Sequence, residues 1–328
     1  MLHRFTIVCM AVSLSLVAVT ASAVPFTSGD LYYAGNTSAS PIYDITGGGN
    51  LTGITAFANG GNTGDRNLGQ MAWSNDLETM YTTNYIGDSI FTVDAAGNSV
   101  FYASVRQPLG IVVTDDDRIL VNSFSERRVY DITDTANIFV HATLPTYARN
   151  MRQIPSGEVL VAGSNGEVYD VSSGTAVVYA KIQGATASYL GDIEFTSDGR
   201  VFVTGGFGHR GDIFDITGGG MFMNNPWATV SSSNSGVAFG LAIDPQTNQM
   251  LLAPLGRNYV LDVTGGGFLN DNDMSIRWAT NIPTTNDMAL DFVPFVSVVP
   301  VAEPSSLVLL AIALLFASRR RSPRILQI

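Results

Sequence analysis

The chain has 328 residues, 46% of them hydrophobic, and a formal net charge of −11. That length suits one large β domain or two average domains. Lysine occurs once, at Lys181, and cysteine once, at Cys9, so the acidic balance argues against a nucleic-acid partner and the cysteine count excludes a disulfide framework.

The first predicted element is a secretory leader, residues 1–23. Met1–Arg4 is a short basic start, Phe5–Val19 an apolar run, and Ala21-Ser22-Ala23 an A-x-A cleavage site, so the mature chain is expected to begin at Val24. Cys9 lies inside this leader, which leaves the mature protein without thiol chemistry. All 28 acidic residues lie between Asp30 and Glu303, where the body could attract divalent cations.

The body, residues 24–296, repeats one phrase. YDITGGGN at Tyr43–Asn50 returns as FDITGGGM at Phe214–Met221 and LDVTGGGF at Leu261–Phe268, with weaker copies at Tyr130–Asn137 and Tyr169–Ala176. Anchored on its apolar-aromatic-Asp start, the phrase falls at Ile42, Ile90, Val129, Val168, Ile213 and Val260. Spacings of 39–48 residues are those of four-stranded propeller blades. Blade 3 shows the plan: PLGIVVT, DDD, RILVNSF, SER, RVYDIT, DTAN, IFVHATL. The runs alternate or are β-branched, and the gaps carry Asp, Asn, Gly or Ser.

The copy at the N-terminal end begins at its second strand, Leu31-Tyr32-Tyr33. Asn286–Phe292 matches a first strand and has nothing after it to pair with. The expected fold is therefore all-β: a six-bladed propeller of four-stranded antiparallel blades, closed by pairing the C-terminal strand with the N-terminal blade. The triple glycine reads as the hairpin turn between third and fourth strands. No helix follows it, so it lacks the strand, loop and helix N-terminus of a phosphate cradle.

Blade 3 also resembles the NHL repeat, through Gln107-Pro108-Leu109-Gly110-Ile111-Val112-Val113, Arg118–Val121 and Arg128-Val129-Tyr130-Asp131. The likeness implies a six-bladed propeller and no particular ligand.

After a linker, residues 297–306, comes a C-terminal segment, residues 307–328. Leu307–Ala317 is apolar and Arg319, Arg320 and Arg321 follow it, an arrangement that keeps the arginines cytoplasmic. With Glu303-Pro304-Ser305-Ser306 ahead of it, this tail resembles the PEP-CTERM sorting signal. Two departures stand out: Ala302 replaces the family's first proline, and Ser322–Ile328 follow the arginines. The resemblance implies an exported protein of a Gram-negative-type bacterium that makes extracellular polysaccharide. Its tail helix would hold it in the membrane until an exosortase-type enzyme cuts near Glu303-Pro304, and the product would lie at the cell surface or in the matrix.

First strands line a propeller's channel. The residues that open them align as Gln70, Gly110, Asn150, Asp192, Gly240 and Asp287. Gln70, Asn150, Asp192 and Asp287 are hard oxygen donors from four segments, which suits Ca²⁺. Propeller lactonases and gluconolactonases use channel-mouth carboxylates and amides in this way, which implies metal-assisted hydrolysis. Turn positions favour Asn, Asp and Gly for backbone reasons as well. Asp115-Asp116-Asp117 and Asp271-Asn272-Asp273 read as solvated turn acids, and His141 as part of an outer strand. Tyr32, Tyr33, Trp73, Tyr85, Trp227 and Trp278 read either as core or as sugar-stacking rings. No HExxH, CxxC or GxSxG motif occurs. Two functions follow: a non-catalytic surface module that binds a glycan or protein, or a secreted metal-dependent hydrolase or lactonase at the channel mouth.

Overall fold

A computed structural model describes residues 25–35, 37, 40–61, 68–184, 189–206, 211–231, 238–283 and 289–295. The leader, Asp287, His209 and everything from residue 296 on lie outside the described residues. In chain order come β1 (Leu31–Ala34), β2 (Pro41–Asp44), β3 (Gly49–Asn50) and β4 (Ala58–Asn59). Blade 2 is β5 (Leu68–Trp73), β6 (Thr79–Asn84), β7 (Ser89–Asp94) and β8 (Ser99–Ser104). Blade 3 is β9 (Pro108–Val113), β10 (Ile119–Ser123), β11 (Arg128–Asp131) and β12 (Phe139–Thr143). Blade 4 is β13 (Ala148–Gln153), β14 (Val159–Gly163), β15 (Glu167–Asp170) and β16 (Val177–Ile182). Blade 5 is β17 (Leu190–Phe195), β18 (Val201–Gly205), β19 (Asp212–Asp215) and β21 (Ala228–Ser231), with β20 (Gly220–Phe222) between the last two. Blade 6 is β22 (Ala238–Ile243), β23 (Met250–Pro254), β24 (Tyr259–Asp262) and β26 (Arg277–Thr280), with β25 (Gly267–Asn270) between the last two, and β27 (Ala289–Phe292) follows it.

Six sheets result. Blade 1 has the order β27-β1-β2-β4, so the C-terminal strand takes its innermost place, with Leu290 opposite Tyr33. This is the expected closure, and it gives blade 1 the inner strand that its N-terminal part lacks.

The period-two pattern of each strand feeds two different cores. On β14, Leu160 and Ala162 pack with Ile193 and Val203 of blade 5. Val159 and Val161 point the other way, against Val112 and Leu120 of blade 3. Each blade is thus apolar on both faces, as a sheet sandwiched between two others must be.

The Asp-x-Thr of the repeated phrase ties second strand to third. In blades 1, 3, 5 and 6 the carboxylates of Asp44, Asp131, Asp215 and Asp262 accept from the N–H and hydroxyl of Thr46, Thr133, Thr217 and Thr264. Each hydroxyl oxygen in turn accepts the first N–H of the second strand: Leu31, Ile119, Val201 and Met250. Asp170 and Ser172 do the same for Val159 in blade 4. The phrase therefore satisfies a backbone donor that a strand end would otherwise leave open.

The triple glycine does more than turn. It stands between third and fourth strands as expected, but the chain then crosses to the preceding blade and adds a fifth, parallel strand: β3 on β26, β20 on β16, and β25 on β21. The middle glycine has positive φ in each copy: Gly48 at 59°, Gly219 at 69° and Gly266 at 62°. A Cβ there would lie 2.8 Å from Trp278 O, 2.6 Å from Tyr179 O and 2.8 Å from the Trp227 ring, respectively. Backbone conformation and crowding both demand glycine. The copies AAGN, DTAN and SSGT send no such strand across among the described residues.

These crossings lie on a second repeat, separate from the Asp-x-Thr phrase. Every outer strand region carries an aromatic or His followed by a buried Ala: Phe57-Ala58, Tyr102-Ala103, His141-Ala142, Tyr179-Ala180, Trp227-Ala228 and Trp278-Ala279. The turn of the following blade lies against this pair. Gly174 abuts His141 O, Gly97 abuts Phe57 O, and the Tyr102 hydroxyl donates to Ile132 O and Thr133 O.

Candidate functional site

The six first strands can be aligned by one hydrogen bond. Four residues past each opening position, an N–H bonds across the turn to the second strand: Ser74 to Thr79, Thr114 to Arg118, Ile154 to Glu158, Thr196 to Arg200, Asp244 to Gln249 and Val293 to Asp30. This confirms the equivalence of Gln70, Gly110, Asn150, Asp192 and Gly240. It corrects the sixth position: Ala289 stands there, and Asp287 falls two residues earlier, outside the described residues. The reason is that β27 pairs with β1 through Ala289–Phe292, one inward step further on than the sequence alignment assumed.

Gln70, Asn150 and Asp192 all lie on first strands and are buried, and Asn150 and Asp192 are in hydrogen-bond contact. Gln70 reaches from blade 2 across blade 3 to blade 4. Its Oε1 accepts from the N–H groups of Ile111 and Met151 at 3.0 Å each, and its Nε2 donates to Met151 O at 2.8 Å. Asp192 accepts from Ile193 N–H at 3.0 Å and from Leu241 N–H of blade 6 at 3.1 Å, and Asn150 hydrogen-bonds it from blade 4. Gly110 marks a close approach, since a Cβ would stand 2.8 Å from Met151 N. These groups serve as rivets between blades. The Oε1 of Gln70 and both carboxylate oxygens of Asp192 are engaged by backbone N–H groups. Among the described residues no group of three or more His, Cys, Asp or Glu is arranged to hold a metal.

One inward step further, two residues along each strand, lies a charged layer: Arg152, Glu194 and Asp291. Arg152 Nη2 is 2.7 Å from Asp291 Oδ1 and also pairs with Glu194. Asp291 is fully buried, and its second oxygen accepts from Met71 N–H at 3.4 Å. Burial pushes the Asp291 carboxyl up, with Arg152 pulling against it. Burial and then the charge of Asp291 push Asp192 up further still.

The charged layer opens into a recess of about 190 Å³ on the face that carries the turns between first and second strands. Arg152 and Glu194 form its floor, with Trp73, Phe195 and Phe292 among its walls. The Nε–H of Arg152 is buried with no hydrogen-bond partner among the described residues. Charged planar groups on the floor with aromatic walls can bind vicinal hydroxyls against an apolar ring face. Sequence reasoning missed these three residues, although Arg152 and Glu194 lie one alternation beyond Asn150 and Asp192. Asp291 was hidden by the register error.

The opposite mouth is capped by rings. Phe124 stacks on Tyr147 at 5.0 Å and on Tyr189 at 6.2 Å, with Tyr85 edge-on at 5.9 Å. Beneath them the Arg149 guanidinium is 5.5 Å from the Tyr189 ring, and burial lowers its pKa to about 10. Of the other aromatics singled out from sequence, Tyr32, Tyr33 and Trp73 are at least nine-tenths buried, and Trp227 and Trp278 pack beneath the glycine crossings.

The remaining candidates are structural. His141 bridges Arg118 and Val171 O. Asp115–Asp117 form a turn, as expected. Asp271 departs from the solvated reading: it is buried, accepts from the Tyr259 hydroxyl at 3.0 Å and lies beside Arg257, because β25 carries it onto the neighbouring blade.

Comparison with known proteins places the fold. No protein-family model and no curated sequence relative matches the chain. Among solved structures it is similar to a chain of a nidogen–laminin complex, with TM-score 0.60, 11% identity, and 80% of this chain and 98% of that chain covered. A gluconolactonase from Xanthomonas campestris gives TM-score 0.53 and 12% identity over 80% and 89% of the two chains. A catalytically inactive virginiamycin B lyase from Staphylococcus aureus with quinupristin gives 0.52 and 15% over 81% and 90%. The chain is a six-bladed β-propeller, of a class that includes both binding proteins and enzymes.

Proposed function

We propose that the chain is an exported, surface- or matrix-associated binding propeller without catalytic activity, and that its ligand is a glycan held at the recess. The observation that carries this reading is the Arg152–Glu194–Asp291 layer beneath a recess walled by aromatic rings, with an Arg152 Nε–H that has no partner among the described residues. At about 190 Å³ the recess is smaller than the roughly 300–1,000 Å³ of ordinary ligand pockets, which suits one sugar unit of a longer chain. The leader and the PEP-CTERM-like tail support an extracellular address, with an exosortase-type enzyme as the processing partner.

The test is retention of the mature protein on immobilised extracellular polysaccharide of the producing organism. Arg152→Gln and Glu194→Gln should each weaken retention about tenfold or more, the usual scale for a charged hydrogen bond. Unchanged retention in both variants would sink the assignment. Mass spectrometry of the surface form should show a chain ending near Glu303; an intact arginine tail would refute processing. The alternative, metal-assisted ester or lactone hydrolysis, requires Gln70, Asn150 and Asp192 to exchange their present bonds for an ion. Metal analysis with an Asp192→Ala control separates that reading from the first.

A further inference from the structure

Three outer strands, β16, β21 and β26, are covered by the glycine crossings at Ala180–Ile182, Ala228–Ser231 and Ala279–Thr280. The outer strand of blade 1, β4, has only two residues. Two long outer edges remain bare among the described residues: β8, Ser99–Ser104, and β12, Phe139–Thr143. Neither contains lysine, proline or an acid, the features that ordinarily blunt an exposed edge. Both are apolar on the surface: Val100 is 63% exposed, Phe101 56%, Phe139 55% and Val140 42%. They lie on adjacent blades.

The backbone at these edges has the same orientation as at the covered ones. Val105 N–H bonds to Asp88 O, so the next pair, Ser104 and Ser89, has no hydrogen bond between its members and Ser104 turns its N–H and C=O outward. Leu144 N–H bonds to Arg127 O, which turns Thr143 outward in β12. The equivalent residue of blade 4 is Lys181, and it is paired with Met221 of β20. At blade 6 it is Thr280, whose carbonyl accepts from Leu51 N–H just beyond β3.

We propose that the edges of β8 and β12 bind an extended segment of another polypeptide, added in parallel as a fifth strand. The segment presents a glycine followed by apolar residues. The three internal crossings supply the argument: all run parallel to the outer strand, and two of them read Gly-Met-Phe and Gly-Phe-Leu. In the crossings the glycine falls where the chain passes the aromatic-Ala pair; at His141-Ala142 the chain's own Gly174 already lies against that pair, so there the apolar residues of the segment carry the pairing. A second copy pairing β8 with β8 about a two-fold axis would run antiparallel, against the geometry of all three crossings. Strand addition of this kind draws affinity from main-chain bonds and selectivity from alternate side chains.

The probe is a synthetic peptide with the sequence of Thr217–Asn224, TGGGMFMN, added to the mature protein. Hydrogen exchange at Ser104, Thr143 and their neighbours should slow by about tenfold at saturation, the scale of a newly bonded amide. Ser104→Pro with Thr143→Pro removes only outward-facing donors, so the variant should melt with the parent and lose about tenfold in peptide affinity. Phe101→Ser with Phe139→Ser should lose a similar factor with the backbone intact. The proposal is overturned by absence of binding, by protection that maps to other strands, or by affinity unchanged in both variants. It is also overturned if a dimer of the free protein already protects β8 and β12.

Discussion

The glycine crossings make a sharp contrast within one turn. Gly218 and Gly219 both have positive φ, at 79° and 69°. A Cβ at Gly218 meets nothing within 4 Å, whereas at Gly219 it stands 2.6 Å from Tyr179 O. Gly218→Ala should cost only the left-handed backbone penalty, about 1–2 kcal/mol. Gly219→Ala carries that penalty and must also push β20 off β16, forfeiting the Gln183 N–H to Phe222 O bond and its neighbours at about 1 kcal/mol each. The sum is about 3–5 kcal/mol, and at roughly 2 °C per kcal/mol for a chain of this size the melting point falls by about 6–10 °C, against about 2–4 °C for Gly218→Ala. Thermal unfolding measures the difference. Hydrogen exchange adds a local readout, since Gln183 should lose protection in the Gly219 variant alone. Equal losses in the two variants, with Gln183 still protected, would refute the claim that crowding beneath the crossing selects glycine.

The Asp-x-Thr tie gives a second expectation: Thr133→Val orphans Ile119 N–H and should destabilise by about 1–3 kcal/mol, while Thr133→Ser stays near the parent because Ser172 already does this work in blade 4; urea unfolding of the pair checks it, and equal destabilisation would contradict it. A third concerns pH. The folded pKa of Asp192 is raised, so its contribution to stability is complete below the ordinary carboxylate range near 4 and is lost as pH rises through the raised value. Asp192→Asn should therefore gain on the parent in melting point between pH 4 and pH 8, and a gap that stays constant across that window would overturn the assignment. Asp131 runs the other way. Burial opposes ionisation, but the Thr133 bonds and Arg118 outweigh it and lower the pKa, so its contribution is present above about pH 4 and is lost on acidification.

Much of the architecture was legible because it is repetitive. Six copies of an apolar-aromatic-Asp phrase fixed blade number and strand order, and orphan half-blades at the two ends implied closure. What escaped were features set by relations between blades. The parallel crossings pair residues distant in sequence, forty positions for Ala180 with Gly220 and 230 for Ala279 with Gly49, and local turn chemistry carries no trace of where the chain lands. The aromatic-Ala pair was available as a six-fold repeat, yet it gains meaning only once a neighbouring turn lies on it. The channel positions were half right for a similar reason. Five first strands are held in register by their own turns, but β27 is held by a strand more than 250 residues earlier, so its register could not be counted from a local turn. Arg152, Glu194 and Asp291 went unseen because the search stopped at the opening residue of each strand.

The closing strand has one more consequence. A chain synthesised from its N-terminus completes blades 2 to 6 while blade 1 still lacks its innermost strand, leaving Leu31 and Tyr33 without the partners they have in the finished ring. When β27 arrives it brings Asp291, the residue that fixes Arg152 at the floor of the recess. Ring closure and assembly of the charged floor are therefore a single event. A partly made chain can display most of the propeller's surface, edges β8 and β12 included, before the floor of its channel is built.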